Sequence, residues 1–263
     1  MKCVILCGGK GTRMKEETEF KPKPMVKIGK MPILLHIMKT YSHYGVKEFI
    51  LCLGYKGEMI KDYFLNHREI NNDFTLDLST VGKKGLITTH CDKKELDNWK
   101  ITFVDTGQEN MTGSRIAQIK NYIGDDEDFF LTYGDGLSNV NINSLYQFHK
   151  AKGKVATLTA VQPNSYFGII KAKDGIVENF QEKPVLEYLI NGGFFVCNKK
   201  IFDYLDTDPS CILEQGALQE LTQNKELASF IHVDFWFAMD TYKHTEELNK
   251  MIESGNTPWR VWE

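Results

Sequence analysis

The chain predicts an α/β fold, an open and mostly parallel sheet with helices on both faces. Three observations predict it. Short apolar runs alternate with segments of helical period over the first 165 residues. The first run, Cys3-Val4-Ile5-Leu6-Cys7, passes straight into a glycine turn, Gly8-Gly9-Lys10-Gly11-Thr12-Arg13. From about residue 166 the pattern changes to short strands separated by turn residues, a β-rich second half packed on the first.

The elements follow in order. Residues 2–7 read as a buried strand. Residues 32–44 read as a helix, with Pro32 suited to its first turn. Phe49-Ile50-Leu51-Cys52-Leu53 is a second strand, and residues 57–66 are an amphipathic helix with Met59, Ile60, Tyr63 and Phe64 at helical spacing. A strand over 100–104, a helix over 112–122, a strand over 129–133, a helix over 142–151 and a strand over 155–161 complete the alternation. The second half offers strands at 167–172, 176–181 and 193–197, with Asp174-Gly175 as a hairpin signal. Helices are expected at 198–205, 212–223 and 241–254. Residues 80–98 are polar and Lys-rich and read as a surface excursion. With no linker, repeat or low-complexity tract, residues 1–263 read as one domain: a nucleotide-binding half over 1–165 and an acceptor-binding and assembly half over 166–263.

Composition narrows the function. The chain has 263 residues, 42% hydrophobic and 25% charged, with a formal net charge of -3. That balance fits an ordinary globular protein and gives no global nucleic-acid footprint. No stretch approaches the roughly 18 apolar residues of a membrane helix, and the first apolar run is too short for a secretory signal. The six cysteines, Cys3, Cys7, Cys52, Cys91, Cys197 and Cys211, contain no C-x-x-C pair. They read as reduced, mostly buried thiols of a cytoplasmic protein. His90-Cys91-Asp92 is the one compact ligand-like cluster, and it lies in the Lys-rich excursion. The tail carries Trp259 and Trp262, which should dock either on their own domain or at a subunit contact.

The chemistry concentrates in a few motifs. In the glycine turn, backbone N–H groups can approach phosphate oxygens closely; a tight structural turn is the plainer alternative. The turn lacks the G-K-[ST] ending of a Walker loop. In Lys21-Pro22-Lys23-Pro24 the prolines stiffen the backbone from which Lys23 projects, and with Arg13 it can supply countercharge to phosphate. Tyr133-Gly134-Asp135-Gly136 sets an acid at the carboxyl end of a predicted strand, where ligands bind in open α/β sheets. Mg²⁺ takes one or two such carboxylates together with substrate phosphates; a turn Asp is the alternative. Glu182-Lys183-Pro184 and Asn191-Gly192-Gly193 bracket a segment that could bind a phosphate and a hydroxylated ligand, or form a plain hairpin. Asp240, in Met239-Asp240-Thr241, either caps the last helix or supplies a second metal ligand.

Together these motifs resemble the sugar-phosphate nucleotidylyltransferase family. The resemblance spans nearly the whole chain and also takes in Glu16-Glu17-Thr18, Gly54-Tyr55-Lys56-Gly57 and Val104-Asp105-Thr106-Gly107. Its cytidylyl branch is indicated by Thr106-Gly107, Met111-Thr112-Gly113 and the Pro258-Trp259 tail. The resemblance implies a Rossmann-like nucleotidyltransferase fold and an oligomer, a homo-oligomer of this chain, with active sites near subunit contacts. It implies Mg²⁺-dependent transfer of CMP from CTP to a sugar 1-phosphate, glucose 1-phosphate foremost, giving a CDP-sugar and pyrophosphate. Leu6, Cys7, Gly8, Gly9, Gly11, Thr12, Thr106, Gly107, Gly113, Arg115 and Gly134 would hold the nucleotide, with Arg115 a candidate donor to the base. Tyr133, Gly168, Glu182, Asn191 and Gly192 would hold the acceptor. Arg13, Lys23 and Lys183 would be catalytic, and Asp135 and Asp240 would bind Mg²⁺. Between Pro184 and Asn191 the apolar Val185–Ile190 segment departs from the Gly- and Asp-rich pattern of glucose 1-phosphate enzymes. Another nucleotide or another phosphorylated acceptor is the competing expectation. A non-catalytic homologue would be expected to have lost Arg13, Lys23 or an aspartate, and a glycosyltransferase would want an Asp-x-Asp motif.

Overall fold

The computed structural model of the protein describes residues 1–79, 86–90, 98–165 and 167–262. The sheet is built around β1 (Cys3–Leu6), flanked in parallel by β2 (Glu48–Leu53) on one side and β4 (Asp128–Tyr133) on the other. β3 (Lys100–Asp105) extends it in parallel beyond β2, and outside the sheet the short β5 (Gly136–Ser138) pairs antiparallel with Trp236–Ala238. Beyond β4 lies β10 (Phe195–Asn198), antiparallel, then β6 (Ala156–Val161). β11 (Leu227–His232) runs parallel to β6 along its whole length, while the short β9 (Ile190–Asn191) pairs antiparallel with its far end. Strands from both halves of the sequence thus share one mixed, mostly parallel sheet.

Alternation along each strand fills two cores. Cys3, Ile5, Phe49, Leu51, Phe130 and Val196 face one side, against α1 (Ile33–His43), α2 (Gly57–Leu65), α4 (Ile142–Lys152) and α6 (Tyr242–Glu253). Val4, Leu6, Ile50, Cys52, Phe129, Leu131 and Cys197 face the other, against α3 (Thr112–Gln118) and α5 (Ala217–Gln223). Buried on both faces, these strands read in the sequence as continuous apolar runs. The helix caps follow local chemistry. Pro32 sits just outside α1 as its N-cap rather than within the first turn. The Asn141 side chain accepts the Ser144 N–H at 2.9 Å, and Gly153 ends α4 in the left-handed region.

Several expectations need correction. The helix expected over 112–122 breaks at Ile119, and Lys120–Ile123 forms a separate turn. The helix expected over 198–205 is a 3-10 turn, Lys199–Tyr204, opened by the Asn198 side chain accepting from Lys200 N–H. The helix expected over 212–223 begins only at Ala217, because Ile212–Gly216 packs as irregular chain against the start of α3. The strand expected over 193–197 begins only at Phe195, as β10, and the separate short β9 precedes it. Gly193 and Phe194 both take positive φ, so the backbone steps between the two pairings with β6. β11 is missing from the sequence reading, since Leu-Ala-Ser-Phe-Ile-His alternates too weakly to stand out.

The second half does not pack throughout on the first. β7 (Ile169–Lys173) and β8 (Ile176–Gln181) form a hairpin through Asp174-Gly175, both left-handed, and every residue of the two strands is exposed. Most of the polar excursion, including Cys91 and Asp92, lies outside the described residues. Cys3, Cys7, Cys52, Cys197 and Cys211 are unpaired thiols. Among the described residues, no helix is long and apolar enough to cross a membrane.

The tail docks on its own chain. Trp259 is fully buried, stacks on Phe235 at 5.5 Å, and donates its indole N–H to His36 Nδ1 at 3.2 Å. His36 Nε2 lies 3.1 Å from the Ile28 carbonyl, so it carries the proton and donates there. Both ring nitrogens are therefore used by the neutral form, and a second proton on Nδ1 would face the indole N–H. Burial pushes the His36 pKa down to about 4, with the positive charges of Arg260 and Lys39 acting the same way. In the unfolded chain His36 takes its proton near pH 6.5. The unfolded state thus binds more protons between those values. This contribution to stability is whole above pH 6.5 and is lost as pH falls toward 4, amounting to roughly 3 kcal/mol. Urea unfolding across that window should show this slope in the wild type and a shallower one in His36→Gln.

Candidate functional site

The carboxyl ends of β1 and β4, and the chain between β3 and α3 at Asn110–Thr112, open onto a cavity of ≈ 340 Å³. Leu6, Cys7, Gly8, Gly9, Gly11, Thr12, Arg13, Lys23, Arg115, Tyr133, Gly134, Asp135 and Asp240 all line it. The structure thus brings together thirteen of the residues singled out in the sequence, from five separate stretches of chain. The loop after β1 is held open by its own side chains. Gly11 adopts φ +61, and its carbonyl accepts the Thr18 hydroxyl at 2.9 Å. Tyr55 donates its hydroxyl to the Thr18 carbonyl at 3.0 Å, tying that loop to the one after β2.

Arg115 explains why three loops meet here. The side chain comes from α3 and is 4% exposed. Its Nη1 donates to the Gly107 carbonyl at 2.7 Å, the Thr106 hydroxyl at 2.8 Å and the Leu53 carbonyl at 3.1 Å. Its Nη2 donates to the Gly8 carbonyl at 3.0 Å and the Gln108 carbonyl at 3.3 Å. The expectation of Arg115 as a donor to the base is therefore revised: its guanidinium is spent on the walls, and it is a positioning residue. Thr106 and Gly107 stand behind the wall as its anchors. Gly113 lets α3 approach the chain at Cys211, where an added Cβ would meet Sγ at 2.6 Å. Gly8 has a second reason to be glycine, since a Cβ there would lie 2.0 Å from Arg115 Nη1.

The charged groups meet at the mouth. Asp135 follows β4 and Asp240 precedes α6. The cap of α6 is Thr241, whose hydroxyl accepts the His244 N–H, so the Asp240 carboxylate is left to face the cavity. Lys23 Nζ bridges the pair, 2.6 Å from Asp135 Oδ2 and 2.8 Å from Asp240 Oδ1. Arg13 Nη1 lies 3.1 Å from Asp240 Oδ2. Burial alone would raise the Asp240 carboxyl, but the Lys23 hydrogen bond and the charges of Lys23 and Arg13 outweigh it and hold it below the ordinary carboxylate range. Burial would likewise lower the Lys23 ammonium, and the two aspartates more than reverse it.

This pair suits a hard divalent cation. Two carboxylates from separate elements already converge on one positive group. Among the described residues no third His, Cys, Asp or Glu joins them. Mg²⁺ habitually fills such a site with substrate phosphate oxygens and water.

The expected acceptor residues divide. Lys183 lines a second cavity of ≈ 510 Å³ with Trp236, Lys243, His244 and Glu247, and Asp240 lines both cavities. Lys183 takes φ 45, a left-handed conformation that is costly away from glycine. The Val185–Ile190 segment starts in a bridge to Asn164, beside Pro163 and Ser165 in the wall of that cavity. Glu182 and Gly168 lie on the exposed hairpin, close enough that a Cβ on Gly168 would meet Glu182 Oε2 at 3.1 Å. Asn191 Nδ2 donates to the Tyr133 hydroxyl at 3.2 Å, and the Gly192 carbonyl accepts the Trp236 indole N–H at 2.7 Å.

Glu214 is the residue the sequence reading missed. Its carboxylate accepts the Tyr133 hydroxyl at 2.5 Å and the Thr112 hydroxyl at 2.7 Å, linking the start of α3 to Tyr133 and through it to Asn191. Burial, and then this carboxylate, push the Tyr133 phenol well up, so it stays a donor. An acid inside an expected surface helix gave no signal of this role.

An α/β sheet with a glycine-walled cavity at its carboxyl edge, and cations facing two carboxylates, defines a nucleotide-handling protein. The chain belongs to the nucleotidyl transferase family, whose profile matches residues 2–254. It is 50% identical over the full length of both chains to a Bacillus subtilis (strain 168) protein named probable glucose-1-phosphate cytidylyltransferase. It is 46% identical, again over both full lengths, to glucose-1-phosphate cytidylyltransferase of Salmonella typhimurium. In fold it matches a UDP-glucose pyrophosphorylase solved with UDP-glucose, with a TM-score of 0.67 at 17% identity over 97% of this chain and 98% of that one.

Arg115→Lys keeps the charge but cannot reach five oxygens. It should destabilise the protein by about 2–4 kcal/mol in urea unfolding and weaken nucleotide binding measured by calorimetry.

Proposed function

We propose that this protein transfers CMP from CTP to glucose 1-phosphate, releasing pyrophosphate and forming CDP-glucose. The observation that carries the chemistry is the convergence of Lys23, Arg13, Asp135 and Asp240 at the mouth of the glycine-walled cavity. The choice of CTP and glucose 1-phosphate is supported by the two relatives that match this chain end to end.

The reaction needs no general base. A phosphate second pKa near ~6 leaves the sugar phosphate an anionic nucleophile at neutral pH. Its oxygen attacks the α-phosphorus of CTP, a P–O bond forms, and the bond to the bridging oxygen breaks as pyrophosphate leaves. The obstacle is bringing two anions together, so the work is positioning and charge neutralisation. The nucleotide lies in the first cavity against Leu6–Gly9. Arg13 takes the leaving pyrophosphate and Lys23 the α-phosphate region. The acceptor lies toward the second cavity, with Lys183 on its phosphate and Asp240 between the two. Asp135 and Asp240 would hold Mg²⁺, which when bound would supply further positive charge to the phosphate oxygens. The whole chain acts as one unit, and its unpaired thiols suit a reducing cytoplasm.

We also propose a homo-oligomer, on the strength of the exposed hairpin. Ile170, Ile176, Val177 and Phe180 are all more than half exposed. An apolar ribbon of this kind is what a partner copy covers.

Pyrophosphate release should require CTP, glucose 1-phosphate and Mg²⁺ together, with UTP at least about a hundredfold poorer. Lys183→Ala should raise the KM for glucose 1-phosphate about tenfold and that for CTP much less; the reverse would reassign Lys183. Light scattering should show an oligomer that Ile176→Glu with Phe180→Glu reduces to a smaller species.

A further inference from the structure

We infer that Lys23 guards the aspartate pair: in the enzyme without nucleotide its ammonium holds the place between Asp135 and Asp240, and a divalent cation enters there only when phosphate draws Lys23 away. The inference rests on the proposed metal role of the two aspartates and deepens it. The Lys23 side chain is 12% exposed and contacts one oxygen of each carboxylate, at 2.6 and 2.8 Å. Arg13, 73% exposed, takes the second oxygen of Asp240 at 3.1 Å. Two carboxylates thus face two cations, with no net formal charge to attract a further cation. A free divalent ion would have to displace a desolvated ammonium and shed water of its own, which Mg²⁺ does reluctantly.

A nucleotide changes this balance. The glycine wall, Arg13, Lys23 and both aspartates line the same cavity, so a polyphosphate bound there offers both cations new partners. The backbone of Lys23 is held, with Pro22 extended before it and the buried Pro24 following in a 3-10 turn. The four-carbon side chain is what can turn, and turning frees the carboxylates while the incoming phosphates add negative charge. Metal and nucleotide then bind cooperatively, and each raises the affinity of the other by the same factor. The lysine has two states, a surrogate cation in the free enzyme and a phosphate ligand in the complex.

Mn²⁺ binding to the whole, nucleotide-free protein tests this, read from the electron paramagnetic resonance signal of free Mn²⁺. Lys23→Met and Lys23→Gln should each bind Mn²⁺ about ten- to a hundredfold more tightly than the wild type. Adding Asp240→Asn to Lys23→Met should abolish the gain. Two neutral replacements guard against one that does not fold, with near-ultraviolet circular dichroism reporting on each. Wild-type protein that binds Mn²⁺ as tightly as the variants overturns the inference. So does a failure of both folded variants to bind while wild-type turnover still needs Mg²⁺. Turnover that needs no divalent cation overturns the metal role itself, and the inference with it.

Discussion

The Arg115 guanidinium is the constraint on which this site depends. A charged group buried without a carboxylate partner is costly unless its donors are filled. Here they are filled by the loop after β1 at Gly8, the end of β2 at Leu53 and the loop after β3 at Thr106, Gly107 and Gln108. The stabilisation is bound up with the arrangement, because all three loops must be in place to satisfy one side chain. In a low-dielectric setting such a network is rigid when complete. The cavity wall is therefore set before any ligand arrives, which is what catalysis by positioning requires.

The mouth of the cavity follows the opposite logic. Its charges pair with one another rather than with the wall. Lys23 and Arg13 balance Asp135 and Asp240, so neither aspartate at the mouth lacks a cation close by. Both cations also line the same cavity as the glycine turn. Thr241, not Asp240, caps α6, and that division of labour leaves Asp240 available to both cavities. The Glu214–Tyr133–Asn191 chain adds a fixed polar seam between the wall of the first cavity and the β9 strand.

Much of this was legible from local pattern. The glycine turn after β1, the Lys between two prolines and the acid after β4 are short-range signals, and eleven of the candidate site residues in or beside them share one cavity. The signals that failed were of two kinds. An expected helix gave way where a stretch packs irregularly, as at Ile212–Gly216. Roles that depend on distant partners gave no trace. Arg115 is expected to reach toward the base, and Glu214 carries no expectation at all; their roles show only once the partners from other elements are in view.

The sequence by itself determined the α/β class, the order of the main elements, the two-sided burial of the strands and the residue types able to handle phosphate. Periodicity, glycine and proline act within a few residues, so a linear reading captures them. The tertiary structure decided which charges meet, which donors are already spent, and that Lys23 lies between two aspartates more than a hundred residues away in sequence. It also decided that Trp259 buries itself against His36 and Phe235 rather than reaching outward. Electrostatics and hydrogen bonding are functions of distance in space, and chain order does not give that distance until the sheet has brought its strand ends together.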